Sequence, residues 1–220
     1  MIQPISSSLV HRILSPENST AALHPTVIYI HGLGADEEDL LGLSGSYDPR
    51  LMSISVRAPF PLDYGGYAWY DFQEAGQPEP AMFKQSYEAL SQFVHDASLK
   101  YPIDPKQLYL FGFSMGTVMS LAMALTQPEL FRGVVANSGC LAERTHLTYR
   151  WNELRQKNFF VGHGLGDPLI PVEASRITKT KLEEAQAAVE YHEYDMAHQI
   201  SNEGIADIAA WLNNLLNQQP

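Results

Sequence analysis

Apolar positions along this chain follow two rhythms. Short unbroken apolar runs alternate with longer stretches in which apolar residues return every three or four positions. The first kind includes Thr26-Val27-Ile28-Tyr29-Ile30, Gln107 to Phe111, Gly133 to Ala136 and Phe159-Phe160-Val161. A strand reads this way when both faces of its sheet are covered. The second kind predicts helices over 82–100, where Phe83, Tyr87, Leu90, Val94 and Ala97 share one face, over 178–188, and around Ile205, Ile208, Ala209, Leu212 and Leu215. A helix is also expected over Ala35 to Leu43, because acids crowd its first turn, where the helix dipole favours them. Thr117 to Leu125 is apolar nearly all round, as a helix buried against a sheet would be. Leu51 to Val56 reads as a second strand, Val189 to Tyr194 alternates like an edge strand, and 9–14 is a weak β-like segment before a turn at Pro16-Glu17-Asn18. Residues 140–157 read as irregular or helical. Residues 60–80 form a long irregular stretch rich in aromatics, glycine and proline, a kind of loop that is usually functional.

Strands alternating with helices predict an α/β fold with a mostly parallel central sheet, helices on both faces and no large cap, in one domain spanning 1–220. In such sheets the chemistry gathers at the carboxyl ends of the strands. Gly112-Phe113-Ser114-Met115-Gly116 lies between an apolar strand and an apolar helix. That is the context of a nucleophile elbow, in which a serine on a tight turn stands above the sheet. The pattern is short, and its weight comes from its setting; Ser114 read alone is a small polar turn residue.

A serine hydroxyl needs a base within hydrogen-bond reach, and the base needs an orienting acid. In elbow hydrolases the acid and then the histidine follow the serine in the chain. His192 and His198 both qualify. His192 falls inside an alternating strand, whereas His198 lies just past it, which makes His198 the better base. Asp167, in the loop after the strand ending at His163-Gly164, is the preferred acid over Glu173 and Asp195. An oxyanion hole needs two backbone donors, here Met115 after the serine and Leu33 in the loop His31-Gly32-Leu33-Gly34. His31 and His163 also follow strands. Each is read as a ring bonded to its own loop, and no metal-ligand spacing accompanies them.

Composition narrows the function further. A net charge of −11 disfavours nucleic acid and adsorption to anionic membranes. Cys140 is the sole cysteine, which excludes an internal disulfide and any cysteine-based zinc site. Neither a signal peptide nor a membrane span is legible, so a soluble cytoplasmic protein is expected. A homodimer is compatible with the pattern.

Taken together, His31-Gly32-Leu33-Gly34-Ala35-Asp36, Ala68-Trp69-Tyr70-Asp71, Gly112 to Gly116, His163-Gly164-Leu165-Gly166-Asp167, Ile170-Pro171 and Met196-Ala197-His198 resemble the phospholipase/carboxylesterase family. This group of small α/β-hydrolases includes acyl-protein thioesterases. The resemblance runs from about Val27 to Trp211. It implies an α/β-hydrolase fold without a large cap and a cofactor-free serine esterase. Ser114 would be its nucleophile, Asp167 its acid and His198 its base. Leu33 and Met115 would form the oxyanion hole, with Trp69, Tyr70, Leu169 and Met196 around the substrate pocket. Many members carry glutamine after the nucleophile, where this chain has Met115, a less polar wall. The acidic run Asp36 to Asp39 leans towards bacterial esterases. The expected substrates are small esters of short to medium acyl chains. The alternative is a thioesterase or lysophospholipase on longer chains. A hydrolase-fold binding protein without catalysis is disfavoured, because the triad candidates and both elbow glycines are present. Dienelactone hydrolase-type chemistry uses cysteine at the elbow, and this elbow holds serine.

Overall fold

The computed structural model describes residues 2, 4–16, 20–74, 77–142 and 145–218, so part of the turn expected at Pro16-Glu17-Asn18 lies outside the described residues. The main strands are β1 (His11–Leu14), β2 (His24–Ile30), β3 (Met52–Val56), β4 (Ile103–Phe113), β5 (Gly133–Asn137), β6 (Asn158–Gly164) and β7 (Ala188–Tyr194). Among the described residues they make one seven-stranded sheet in the order β1-β3-β2-β4-β5-β6-β7. Only β1 runs antiparallel, against β3. Four α-helices accompany them: α1 (Pro80–Lys100), α2 (Met115–Thr126), α3 (Val172–Glu184) and α4 (Asn202–Asn217).

The unbroken apolar runs have a direct cause. Along β2, β4, β5 and β6 successive side chains enter different cores. Ile28, Ile30, Leu108, Leu110, Val134, Ala136, Phe159 and Val161 pack with Leu90, Phe93, Met119 and Leu182 of α1, α2 and α3. Val27, Tyr29, Tyr109, Phe111, Val135 and Phe160 pack with Leu40 and with Ile208, Trp211 and Leu212 of α4. Both faces are covered, so no polar face is left to alternate.

Chain direction positions the site. From β2 the chain crosses to β3 on one side, then returns over β2 to β4 and continues away from it. Crossovers between parallel strands are right-handed, so opposite directions of travel use opposite faces. The connection after β2 accordingly lies in one core and α1, α2 and α3 in the other. The crevice opened by this reversal lies beyond the carboxyl ends of β2 and β4, where ligands bind in open α/β sheets.

Four expectations need correction. The helix expected over 35–43 is a 3-10 helix at Leu40–Ser46. The residues ahead of it are engaged elsewhere: Ala35 bridges Tyr67, Asp36 accepts from the Glu38 N–H, and Glu37 turns inward to Arg57. The helix expected over 178–188 is α3, which starts and stops earlier. Gln186 takes φ +61°, a left-handed residue of the kind that ends helices, and β7 begins at Ala188. The loop at 60–80 holds two small antiparallel ladders, Phe60–Pro61 with Tyr67–Ala68 and Phe72–Glu74 with Gln77–Pro78. The helix expected from 82 begins at Pro80, because Pro suits the first turn and the Glu79 carboxylate accepts from the N–H groups of Ala81 and Met82.

Candidate active site

Ser114 joins β4 to α2 with φ +54° and ψ −118°. A side chain at such a backbone angle costs about 1–3 kcal/mol and persists only when its surroundings enforce it. Here they do. The Ser114 N–H donates to Asn137 O at 2.9 Å, and Thr117 Oγ1 donates to the same carbonyl at 2.6 Å. The flanking glycines admit the turn. A Cβ on Gly116 would lie 1.8 Å from Ile30 O, and one on Gly112 would lie 2.5 Å from Gly116 O. Gly116→Ala is therefore expected to cost about 3 kcal/mol or more, since β2 backbone cannot withdraw as a flexible side chain could. Urea unfolding measures it, and an unchanged midpoint would contradict the close approach of α2 to β2.

His198 sits in the bend after β7. Its Nε2 is 2.9 Å from Ser114 Oγ and its Nδ1 is 2.6 Å from Asp167 Oδ2. A carboxylate only accepts, so Nδ1 carries the proton and Nε2 presents a lone pair to the serine hydroxyl. The Asp167 side chain is fully buried. Its Oδ1 accepts from the N–H groups of Leu169 at 2.8 Å and Ile170 at 3.0 Å. Burial is the largest single influence and pushes its pKa up. The hydrogen bonds from Ile170, His198 and Leu169 together outweigh it, holding the carboxyl below its ordinary range. The acid and base loops are laced together, because Leu165 N–H donates to Tyr194 O at 2.8 Å and Gly166 N–H to Met196 O at 3.1 Å. Ser138 Oγ donates to Gln199 O, tying the base loop to the end of β5.

The competing candidates lie elsewhere. His192 stacks between Phe160 and Tyr194 beside Glu190 and Asp207. Glu173 is exposed in the first turn of α3 near Arg176, and Asp195 is exposed. His163 is buried, with Nε2 donating to Ile170 O at 2.8 Å and lying 3.4 Å from Asp167 Oδ2. His31 is buried under the loop after β2, bonded to Gly32 O and to the Ala58 N–H. Both rings serve loop backbone, as read from the sequence.

Two backbone N–H groups lie near the serine turn. Met115 N–H begins α2, where the helix dipole favours negative charge. Leu33 N–H follows Gly32, whose added Cβ would lie 3.2 Å from the Cβ of Ser114. Among the described residues no hydrogen bond takes up either N–H. Trp69 lies behind them, fully buried. Its backbone N–H donates to Met115 Sδ at 3.3 Å, its Nε1 donates to His31 O at 3.0 Å, and its carbonyl accepts from Ser86 Oγ. The thioether of Met115 thus secures the wall. Tyr70 is enclosed between Phe72 and Phe83, and Met196 is buried, whereas Leu33, Leu165 and Leu169 are exposed.

One constellation escapes sequence reading. Glu37, buried in the loop after β2, takes two hydrogen bonds from Arg57 at 2.5 and 2.6 Å. Arg57 also lies over the Tyr67 ring and donates to its hydroxyl, while Tyr67 O accepts from Gly34 N–H. The only signal was a charged residue directly after a buried strand. Removing one partner of a buried ion pair costs more than the pair contributes. Arg57 is partly exposed, so Arg57→Leu is expected to cost about 2–3 kcal/mol, somewhat below the about 3–5 kcal/mol of a fully buried pair. Burial pushes the Glu37 pKa up most strongly, yet the bonds and charges of Arg57, with Arg12, hold it below its ordinary 4.5. The pair's stabilisation is present above 4.5 and is lost as pH falls through the lowered folded value. Urea titrations should show the gap between wild type and variant closing on acidification. A gap constant down to pH ~3 would contradict the assignment.

Strand, strained serine, helix and a hydrogen-bonded histidine and aspartate together define the arrangement of a serine hydrolase on an α/β sheet. The family model for phospholipases and carboxylesterases matches residues 11–216, and the chain belongs to that family. Acyl-protein thioesterase 1 of Candida albicans is 28% identical, covering 95% of this chain and 99% of that protein. Its namesake in Saccharomyces cerevisiae is 26% identical over 87% of this chain and 93% of the relative. A Bacillus cereus carboxylesterase superposes with a TM-score of 0.83 at 22% identity, covering 94% of each chain, and shows the α/β-hydrolase fold. Among the described residues no helix is long and apolar enough to cross a membrane, and no three His, Cys, Asp or Glu side chains cluster to hold a metal ion.

Proposed function

We propose that this chain is a serine carboxylesterase cleaving short- to medium-chain carboxylic esters. One observation carries the reading: Ser114, His198 and Asp167 form a continuous hydrogen-bonded line, 2.9 and 2.6 Å, beside two uncommitted backbone donors. Ser114 Oγ attacks the ester carbonyl carbon and its proton passes to His198 Nε2. The carbonyl oxygen, now negative, is received by the N–H groups of Leu33 and Met115. The bond to the alcohol oxygen breaks as His198 returns the proton to it. Water then attacks the acyl-serine, giving its proton to the same nitrogen, and the carboxylic acid leaves as Ser114 is reprotonated. Asp167 stays charged throughout and stabilises the imidazolium.

The exposed side chains of Leu33 and Leu169, on the oxyanion and acid loops, offer apolar surface to an acyl chain. This surface favours a second reading, hydrolysis of longer acyl thioesters or lysophospholipids. The acidic balance argues against nucleic acid as a partner, the single cysteine is in keeping with a cytoplasmic enzyme, and the one seven-stranded sheet of the described residues is in keeping with a single domain. A panel of oxygen esters and thioesters of increasing acyl length separates the readings. A kcat/KM maximum on short and medium oxygen esters is expected. A maximum on long-chain thioesters would replace the first reading by the second.

A further inference from the structure

The loop His31-Gly32-Leu33-Gly34 contains a histidine with no part in the proton transfers above. Its ring is completely buried beneath the loop, tilted against the Trp69 ring with centroids 5.7 Å apart. Both ring nitrogens are engaged. The Ala58 backbone N–H lies 3.0 Å from Nε2, and Gly32 O lies 2.6 Å from Nδ1. An N–H can only donate and a carbonyl can only accept. Nε2 is therefore the unprotonated nitrogen and Nδ1 the protonated one. No other tautomer satisfies both partners, and an imidazolium would set a proton against the Ala58 N–H. Burial acts the same way, lowering the affinity of the ring for a second proton.

The consequence concerns the next peptide. Gly32 C=O and Leu33 N–H belong to one planar unit, and the described chain has no cis peptide bond. Across a trans peptide the two groups point in opposite directions. A carbonyl held inward by a buried ring turns its N–H outward. Gly32 is pressed against the nucleophile turn, where an added Cβ would lie 3.2 Å from both the Ser114 Cβ and the Phe113 ring. A peptide flipped about this point would aim a carbonyl oxygen, instead of a donor, into the crevice beside Ser114. The turn bond from Ala35 N–H to Gly32 O is 3.4 Å, past the usual range for N–H···O bonds, and the ring contact is the shorter by far.

We propose that His31 is a positioning residue for the oxyanion hole: by holding Gly32 O with Nδ1–H and anchoring itself on Ala58 through Nε2, it fixes the Leu33 peptide with its N–H facing the nucleophile. The inference rests on the esterase reading, because it assigns His31 a task only if an oxyanion forms there.

Two substitutions divide the ring's tasks. His31→Asn puts an amide nitrogen near the place of Nδ1 and keeps the donor to Gly32 O while losing the Ala58 contact. His31→Gln reaches the place of Nε2 and keeps the Ala58 contact while losing the donor. Each loses one hydrogen bond, so a purely structural role makes kcat follow the unfolding temperature in both. With a positioning role, His31→Gln lowers kcat about 10²-fold and His31→Asn stays within about tenfold of wild type, since losing one oxyanion donor costs about 10²–10³. KM changes by about twofold at most in either, because the bond acts on the transition state. Affinity for a trifluoromethyl ketone, whose adduct carries the oxyanion, falls with kcat. Equal loss in both variants, or an unchanged kcat in His31→Gln, would overturn the proposal. Nitrogen-15 spectra of the wild-type protein give a second reading independent of the variants. The His31 ring proton is expected on Nδ1, and finding it on Nε2 overturns the proposal equally. Wild type and Ser114→Ala measured alongside keep the two claims apart. Without Ser114-dependent ester cleavage in wild type, the esterase reading itself is wrong. With it, only the role of His31 is at stake.

Discussion

Ser114→Ala is expected to lower kcat by about 10⁵–10⁶-fold, because the remaining groups cannot supply a nucleophile. Binding of ester is expected to survive, so KM or an inhibitor constant should move little. The protein should stay folded. Alanine fits wherever this serine fits, and the hydrogen bond to His198 contributes only about 1 kcal/mol to stability. The backbone at φ +54° is as costly for alanine as for serine, so no gain in stability is expected from Ser114→Ala. Ser114→Gly, by contrast, relieves that strain and should be more stable by about 1 kcal/mol while equally inactive. Esterase assays with urea unfolding check both variants. Residual turnover within tenfold of wild type would remove Ser114 from the mechanism.

Asp167→Asn should lose about 10⁴-fold in kcat, for a reason legible in the hydrogen bonds. Asp167 Oδ1 accepts from two backbone N–H groups, Leu169 and Ile170. An asparagine must keep its oxygen there, which turns its NH₂ towards His198. An amide NH₂ cannot accept the Nδ1 proton, so the ring shifts its proton to Nε2. That places a hydrogen where the lone pair must meet the serine hydroxyl, and the base is disabled with its geometry intact. The same change removes a carboxyl held below its ordinary 3.8. Its stabilisation is present above that value and lost as pH falls through the lowered folded one, so acid unfolding of the variant should begin from a less stable protein but depend less steeply on pH. A loss of activity under about tenfold would show that His198 is oriented by something else.

The central strands and the ends that carry the chemistry were legible because both sheet faces are covered, which leaves a signal of unbroken apolar runs. Ser114 and Asp167 could be singled out for the same reason, each following such a run, and His198 because it follows the alternating edge strand β7. Less legible was whatever depends on contacts across the chain. Asp36 to Asp39 looked like a helix start by charge, yet Glu37 is spent on Arg57, and the helix waits until Leu40. The helix expected over 178–188 stops short, because Gln186 turns left-handed and releases the chain into β7. His31 and His163 stand in near-identical local sequences. Only the fold shows that one braces the loop of Leu33 and the other braces the loop of Asp167. Trp69 was legible as part of the site's surroundings, whereas its place beneath the oxyanion loop, bonded to Met115 and His31, depends on packing over long sequence separations.

The central claim is that Ser114 is an activated nucleophile. A fluorophosphonate forms a stable covalent adduct only with a serine whose hydroxyl is activated by its neighbours and whose oxyanion has donors waiting. Wild-type protein should be labelled at Ser114 alone, as peptide mapping by mass spectrometry reads it, and labelling should vanish in Ser114→Ala and fall sharply in Asp167→Asn. A wild-type protein that takes no label, or takes it at another residue with Ser114 unmodified, would contradict the claim.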